Sequence, residues 1–166
     1  MKDVKTTIMH AVNLVVGVLS YVFLSQSYIS AKIAGAPNST GYDLIDALFN
    51  STDGTAASTM MALSAFLVSI LAGLLIISSI YGLLVSFDVV KNDKLTKIFR
   101  IVDLVLASLL VAFAMIALIC TSAYISDMGM SAVLGIGWAE AVNFVIAFLA
   151  LASAVANYIM MKKSSK

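Results

Sequence analysis

The sequence predicts an all-α integral membrane protein: a four-helix bundle with both termini in the cytoplasm and one short amphipathic helix in its outer loop. Three observations predict it. First, 61% of the residues are hydrophobic and 11% charged, with mean hydropathy +1.04. That is more apolar surface than a 166-residue water-soluble domain can hide. Second, four apolar runs, about residues 8–29, 60–87, 98–125 and 132–161, each supply the ~20 residues a bilayer core demands. Third, nine of the ten Lys and Arg residues fall on one side of those runs: Lys2 and Lys5; Lys91, Lys94, Lys97 and Arg100; Lys162, Lys163 and Lys166. Only Lys32 lies on the other side. Basic residues mark cytoplasmic loops, so the termini and the middle loop are read as cytoplasmic. Lipid offers no water to an open sheet edge, so the spans are read as helices.

The whole chain is read as one membrane domain, residues 1–166. Its first run follows Lys2 and Lys5 and precedes Ala34-Gly35-Ala36, which resembles a signal-cleavage site. The run exceeds the ~7–15 residues of a signal core, and Pro37 would follow the cut. The expectation is a retained span.

The outer loop, residues 30–59, holds the amphipathic helix. At 100° per residue Tyr42, Leu44, Ile45, Leu48 and Phe49 share one arc, while Asp43, Asp46 and Asn50 share the opposite one. Thr40 with Asp43 resembles a capping box. The apolar arc is a candidate interaction surface, and two readings stay open: a lid on the protein's own helices, or a docking element for another protein. Asn38-Ser39-Thr40 and Asn50-Ser51-Thr52 fit the glycosylation pattern, which has meaning only in a eukaryotic secretory pathway.

Trp and Tyr prefer the headgroup level, and ~20 helical residues rise about 30 Å. Trp138 and Tyr158 therefore bracket the fourth span, Tyr28 and Tyr124 mark the outer ends of the first and third, and Tyr81 the inner end of the second. Counting back from Tyr124 puts Asp103 at the inner surface beside Arg100. On this ruler the second and third helices run on as a cytoplasmic helical hairpin, about residues 82–102, with Asp93 as a helix N-cap and with more apolar surface than a bare turn needs.

Small residues line the spans at helical spacing, which allows the close backbone approach that drives association in lipid. The stripes run through Asn13, Gly17 and Ser20; through Ala62, Ala65, Ser69, Ala72 and Gly73; and through Ala139, Asn143, Ala147, Ala150 and Ala154. They suffice for a bundle. A further set, Ala141, Ala152 and Ala156, offers small surface for contact between subunits.

Glu140 is the carboxylate that falls inside a span, just below Trp138, with Asn143 one turn deeper and Gln26, Thr121 and Ser122 at a similar level. Gln26, Thr121, Glu140 and Asn143 form either a shallow polar vestibule or a structural hydrogen-bonded set. His10 and Asn13, opposite Asp103 and Asn157 near the inner surface, allow the same two readings. No catalytic or metal-binding residues and no cofactor are expected. HExxH, GxSxG, phosphate-loop and CxxC patterns are missing, and one His and one Cys give nucleophile–base chemistry little to work with. Cys120 is read as a small core residue. Net charge +1 argues against nucleic acid as a partner. The lone proline lies in the outer loop, so the spans lack the breaks that build transporter sites.

Basic N-terminus, first span, an outer loop carrying Gly41-Tyr42-Asp43-Leu44-Ile45, second span, basic turn and two closely spaced spans: this order resembles small uncharacterised four-span membrane proteins of Gram-positive bacteria. The resemblance covers most of the chain and implies a bacterial cell-membrane location but no activity. The topology is also similar to that of claudins and other tetraspan proteins, without the Trp, Gly-Leu-Trp and paired Cys of the claudin outer loop. The expected function is non-enzymatic and works by assembly, as a homo-oligomer or with another membrane protein. The alternative is an oligomeric channel with its pore between subunits, lined by Ser and Asn.

Overall fold

Four long helices dominate the chain, each apolar enough to cross a bilayer. The structure is a computed structural model that describes residues 4–33, 37–50, 55–87, 89–90 and 93–164. Three sequence expectations lie outside the described residues: the cleavage-like segment 34–36, the second glycosylation pattern at 51–52, and the capping side chain of Asp93.

In chain order the elements are α1 (Val4–Leu24), β1 (Ser27–Ala31), β2 (Ser39–Thr40), α2 (Gly41–Asn50), α3 (Ala56–Ser86), α4 (Asp93–Asp127), β3 (Leu134–Ile136) and α5 (Trp138–Ser164). Local chemistry sets their ends. Thr55 caps α3, its hydroxyl accepting from the Ser58 amide at 3.2 Å. Beyond α4, Gly129 adopts φ 63°, and the amides of Met128 and Met130 return to the carbonyls of Tyr124 and Ile125 at 3.1 Å each. A left-handed residue satisfying the last free carbonyls is what stops such a helix. At α2 the capping box forms: the Thr40 amide donates to Asp43 Oδ2 at 2.7 Å and the Asp43 amide to Thr40 Oγ1 at 3.2 Å.

The all-α expectation needs correction. A three-stranded sheet in the order β2-β1-β3 sits at one end of the bundle. Ser27 pairs with Thr40, and Ile29, Ser30 and Ala31 pair antiparallel with Ile136, Gly135 and Leu134. The rule against open sheet edges governs backbone surrounded by lipid, and these strands lie beyond the ends of α1 and α4 and before the start of α5. Consequently α1 ends at Leu24, short of residue 29, and α5 starts at Trp138, later than residue 132. The other two long helices run past the expected 60–87 and 98–125 at their first residues, starting at Ala56 and Asp93.

Within the bundle α1 and α4 each pack on α3 and α5, so α1 faces α4 across the diagonal. Between them lies a long apolar core that includes Val16, Val68, Leu71, Leu75, Leu110 and Ala150. A second cluster, with Leu24, Tyr28, Met61, Ala65 and Ala139, lies under the sheet. The outward faces are apolar too: Ile77, Val105 and Val145 are exposed. Asp103 is completely buried inside the bundle, bonded to Ser78 of the neighbouring helix.

Candidate functional site

Two polar layers cross the bundle, one at the sheet end and one towards the chain termini. Along α4 they are separated by the stretch from Asp103 to Thr121, about 27 Å at 1.5 Å per residue, and the long apolar core fills the space between them.

At the sheet end, Thr121 Oγ1 donates to Glu140 Oε1 at 2.7 Å, and Asn143 Nδ2 donates to the Tyr28 hydroxyl at 2.9 Å. All four side chains are buried. Burial pushes the Tyr28 phenol above its usual range, so it stands as a neutral hydroxyl. Its backbone is fixed as well, the Gly137 amide donating to the Tyr28 carbonyl at 2.5 Å. A side chain at Gly137 would run into the backbone of Ser27 and Tyr28, so the close crossing of β1 by the start of α5 requires glycine. Of the candidate vestibule, the structure brings Thr121 and Glu140 into contact and places Asn143 one turn along α5. Gln26 stands apart, exposed, its amide on Ser25 Oγ at 3.2 Å. Tyr28, the partner of Asn143, was legible only as a boundary aromatic.

Towards the termini, each long helix sends a polar side chain to the axis: His10 from α1, Ser78 from α3, Asp103 from α4 and Asn157 from α5. All are 0–2% exposed. Ser78 donates to Asp103 Oδ1, and Asn157 Nδ2 lies 3.3 Å from His10 Nε2. His10 Nδ1 is 3.1 Å from Asp103 Oδ2, which closes the diagonal between α1 and α4. The two atoms are close but not aligned as a hydrogen bond. The approach depends on Gly82, where any side chain would collide with the imidazole.

The candidate interaction surface is divided by the structure. Leu44 is buried, Ile45 and Leu48 are half-buried against the sheet-end core, and Gly41 abuts Leu24. Phe49 meets Phe66 edge-on at 5.3 Å between ring centres and remains 66% exposed, and Tyr42 is exposed. Most of the apolar arc of α2 therefore serves as a lid on this chain's own helices. Among the candidate packing residues, Ala65, Ala150 and Ala154 are fully buried. Gly17 lies against Ala72 and Ile76, and Gly73 faces the Tyr21 hydroxyl. Ser69 is half-buried and bonds within its own helix to the Phe66 carbonyl at 2.7 Å. Cys120 is half-buried beside the sheet-end core.

The fold and the two layers thus define a helical bundle with four potential membrane spans and a small sheet at one end. Comparison with protein-family models, with curated proteins and with solved structures finds no match.

Proposed function

We propose that this chain is a multi-pass protein of the cell membrane that works by assembly, either with further copies of itself or as the membrane subunit of a larger complex. The proposal carries over the sequence reading of a bacterial protein with cytoplasmic termini. One observation carries the assembly reading: apolar side chains stay exposed well past the terminal polar layer. The two layers are about 27 Å apart, close to the ~30 Å of a bilayer's hydrocarbon. Placing the layers at its two rims leaves the α3–α4 turn outside it. Leu84, Phe87, Val89, Leu95, Ile98 and Ile101 are 38–68% exposed in that region. A patch of that kind, flanked by Lys94 and Lys97, fits a protein partner at the inner membrane surface.

The channel reading keeps less support. Asn13, Asn143 and Asn157 are buried inside their own bundle and do not face a neighbouring subunit. Outward-facing Ser108, Ser122 and Ser126 on α4 remain, the last two in an open groove of about 480 Å³ with Leu118, Ile119 and Ala123.

The test is mass measurement of the chain extracted into nanodiscs, as wild type and as Ile98→Asp with Val89→Asp. A multimer or a stoichiometric complex that the double variant dissociates is the expected result. A wild-type particle holding one chain and no companion protein would overturn the reading, and a conducting ring in liposomes would replace it with the channel.

A further inference from the structure

The lid helix α2 has an apolar flank that its own chain does not cover. Around the helical wheel, buried Leu44 and half-buried Ile45 and Leu48 form the face that packs on the bundle. Phe49 and Tyr42, two turns apart and so in line with each other, form the adjoining flank and are 66% and 45% exposed. Asp43, Asp46, Ala47 and Asn50 take the remaining flank, all exposed, with Asn50 Nδ2 donating to Asp46 Oδ1 at 2.7 Å.

Contacts at its two ends set the height of α2. Gly41 abuts Leu24 of α1, and Phe49 meets Phe66 of α3. Measured from the terminal layer, where His10 lies over Gly82 and beside Asp103, Leu24 stands about 21 Å along α1 and Phe66 about 24 Å along α3, at ~1.5 Å per residue. Both ends of α2 are thus at nearly one height, so the helix lies across the bundle axis. That height falls just short of the sheet-end layer at about 27 Å, within the ~30 Å of a bilayer's hydrocarbon.

The outward face of α3 leads to the same place. Beyond Phe66, at spacings of four and three, come Ile70, Leu74 and Ile77, which are 41%, 46% and 64% exposed. Phe49 sits at the upper end of this stripe and continues it. As a protein-docking surface the flank itself is too small: the exposed parts of two aromatic side chains supply about 200–250 Å², against roughly 800 Å² per partner in a stable interface.

We propose that α2 is an interfacial helix, lying flat in the bilayer rim at the sheet end with Phe49 and Tyr42 on lipid acyl chains and Asp43, Asp46 and Asn50 among the hydrated headgroups. Its sequence, GYDLIDALFN, holds no Lys or Arg, so apolar contact and not attraction to anionic headgroups seats it. The inference rests on the membrane-spanning part of the proposed function and is independent of the assembly part.

The experiment uses the full chain in phosphatidylcholine nanodiscs, with and without phosphatidylcholine brominated on its acyl chains near the glycerol. The sequence holds one tryptophan, so Trp138→Phe clears the background for single reporters at chosen positions. Phe49→Trp reports the apolar flank, Ala47→Trp the polar flank, and Val145→Trp the exposed face of a span. Brominated lipid should quench Phe49→Trp and Val145→Trp to a similar degree and Ala47→Trp far less, with blue-shifted emission from the first two. Should Phe49→Trp fail to fold, Tyr42→Trp reports the same flank. Quenching of Val145→Trp without quenching on the Phe49 flank would overturn the interfacial helix alone: water-like emission there would make α2 an aqueous lid, and blue emission a protein contact. Equal quenching of Ala47→Trp and Phe49→Trp would overturn the flat placement at the rim. Absence of quenching at Val145→Trp would overturn the membrane reading and this inference with it.

Discussion

At the sheet end of the bundle, Thr121 meets Glu140 and Asn143 meets Tyr28 in two separate bonds beneath a cover of β-structure. At the other end, one side chain from each long helix converges on the axis, and the diagonal from His10 to Asp103 is closed by proximity without a formed hydrogen bond. The first arrangement is pairwise, so loss of one member affects one neighbour. The second sets two such pairs, Ser78 with Asp103 and Asn157 with His10, against each other, so loss of one member also disturbs the packing of the other pair. Polar groups within a bundle can therefore serve as independent pins or as pins packed together, and the number of helices that contribute distinguishes the two.

The largest expected effect tests that distinction directly. Asp103→Ala strands the Ser78 hydroxyl and removes the carboxylate packed against His10, and should cost about 2–5 kcal/mol for the lost bond and the cavity left on the axis. Glu140→Ala strands Thr121 alone and should cost about 1–3 kcal/mol. Thermal unfolding of both variants in the same detergent checks the pair, and equal losses would break the comparison. A smaller effect sharpens the role of the sheet. Gly137→Ala drives a methyl group into the β1 backbone and should cost about 1–3 kcal/mol, with hydrogen exchange accelerating at residues 28–31 and 134–136 and not around His10.

The smallest effect concerns pH. Asp43 is held below the usual carboxylate range by hydrogen bonds from the Thr40 amide and hydroxyl. A group whose folded pKa is lowered stabilises the fold above its unfolded value and loses that contribution as pH falls through the folded one. The first turn of α2 should therefore loosen as pH drops below about 4, seen as faster amide exchange there. Asp43→Asn should remove this response while leaving the terminal layer untouched.

How much of this was legible depends on the range of the interactions. The long spans showed in composition because twenty apolar residues in a row need no tertiary context. The α2 helix showed because its period and its Thr40–Asp43 cap are local. The sheet did not, since strands of two to five residues paired across a hundred positions leave no local period, and Ser27-Tyr28-Ile29 simply extends an apolar run. Depth counting set Asp103 level with His10 and Asn157 but ignored the side of the helix on which it sits. Azimuth was available: Asp103, Leu106, Ala107, Leu110, Ala114, Ala117 and Thr121 recur every three or four residues, and all are buried. A carboxylate on that stripe must point inward.

The fit of α1 against α3 has a mechanical consequence. Gly82 beneath His10, Gly17 over Ala72 and Ile76, and Gly73 beneath Tyr21 mesh like teeth on a rack. Sliding α1 by one turn, about 5.4 Å, would put Ser78 or Ser86 where Gly82 makes room for the ring. Sliding of α1 along α3 is thereby opposed at three points along its length.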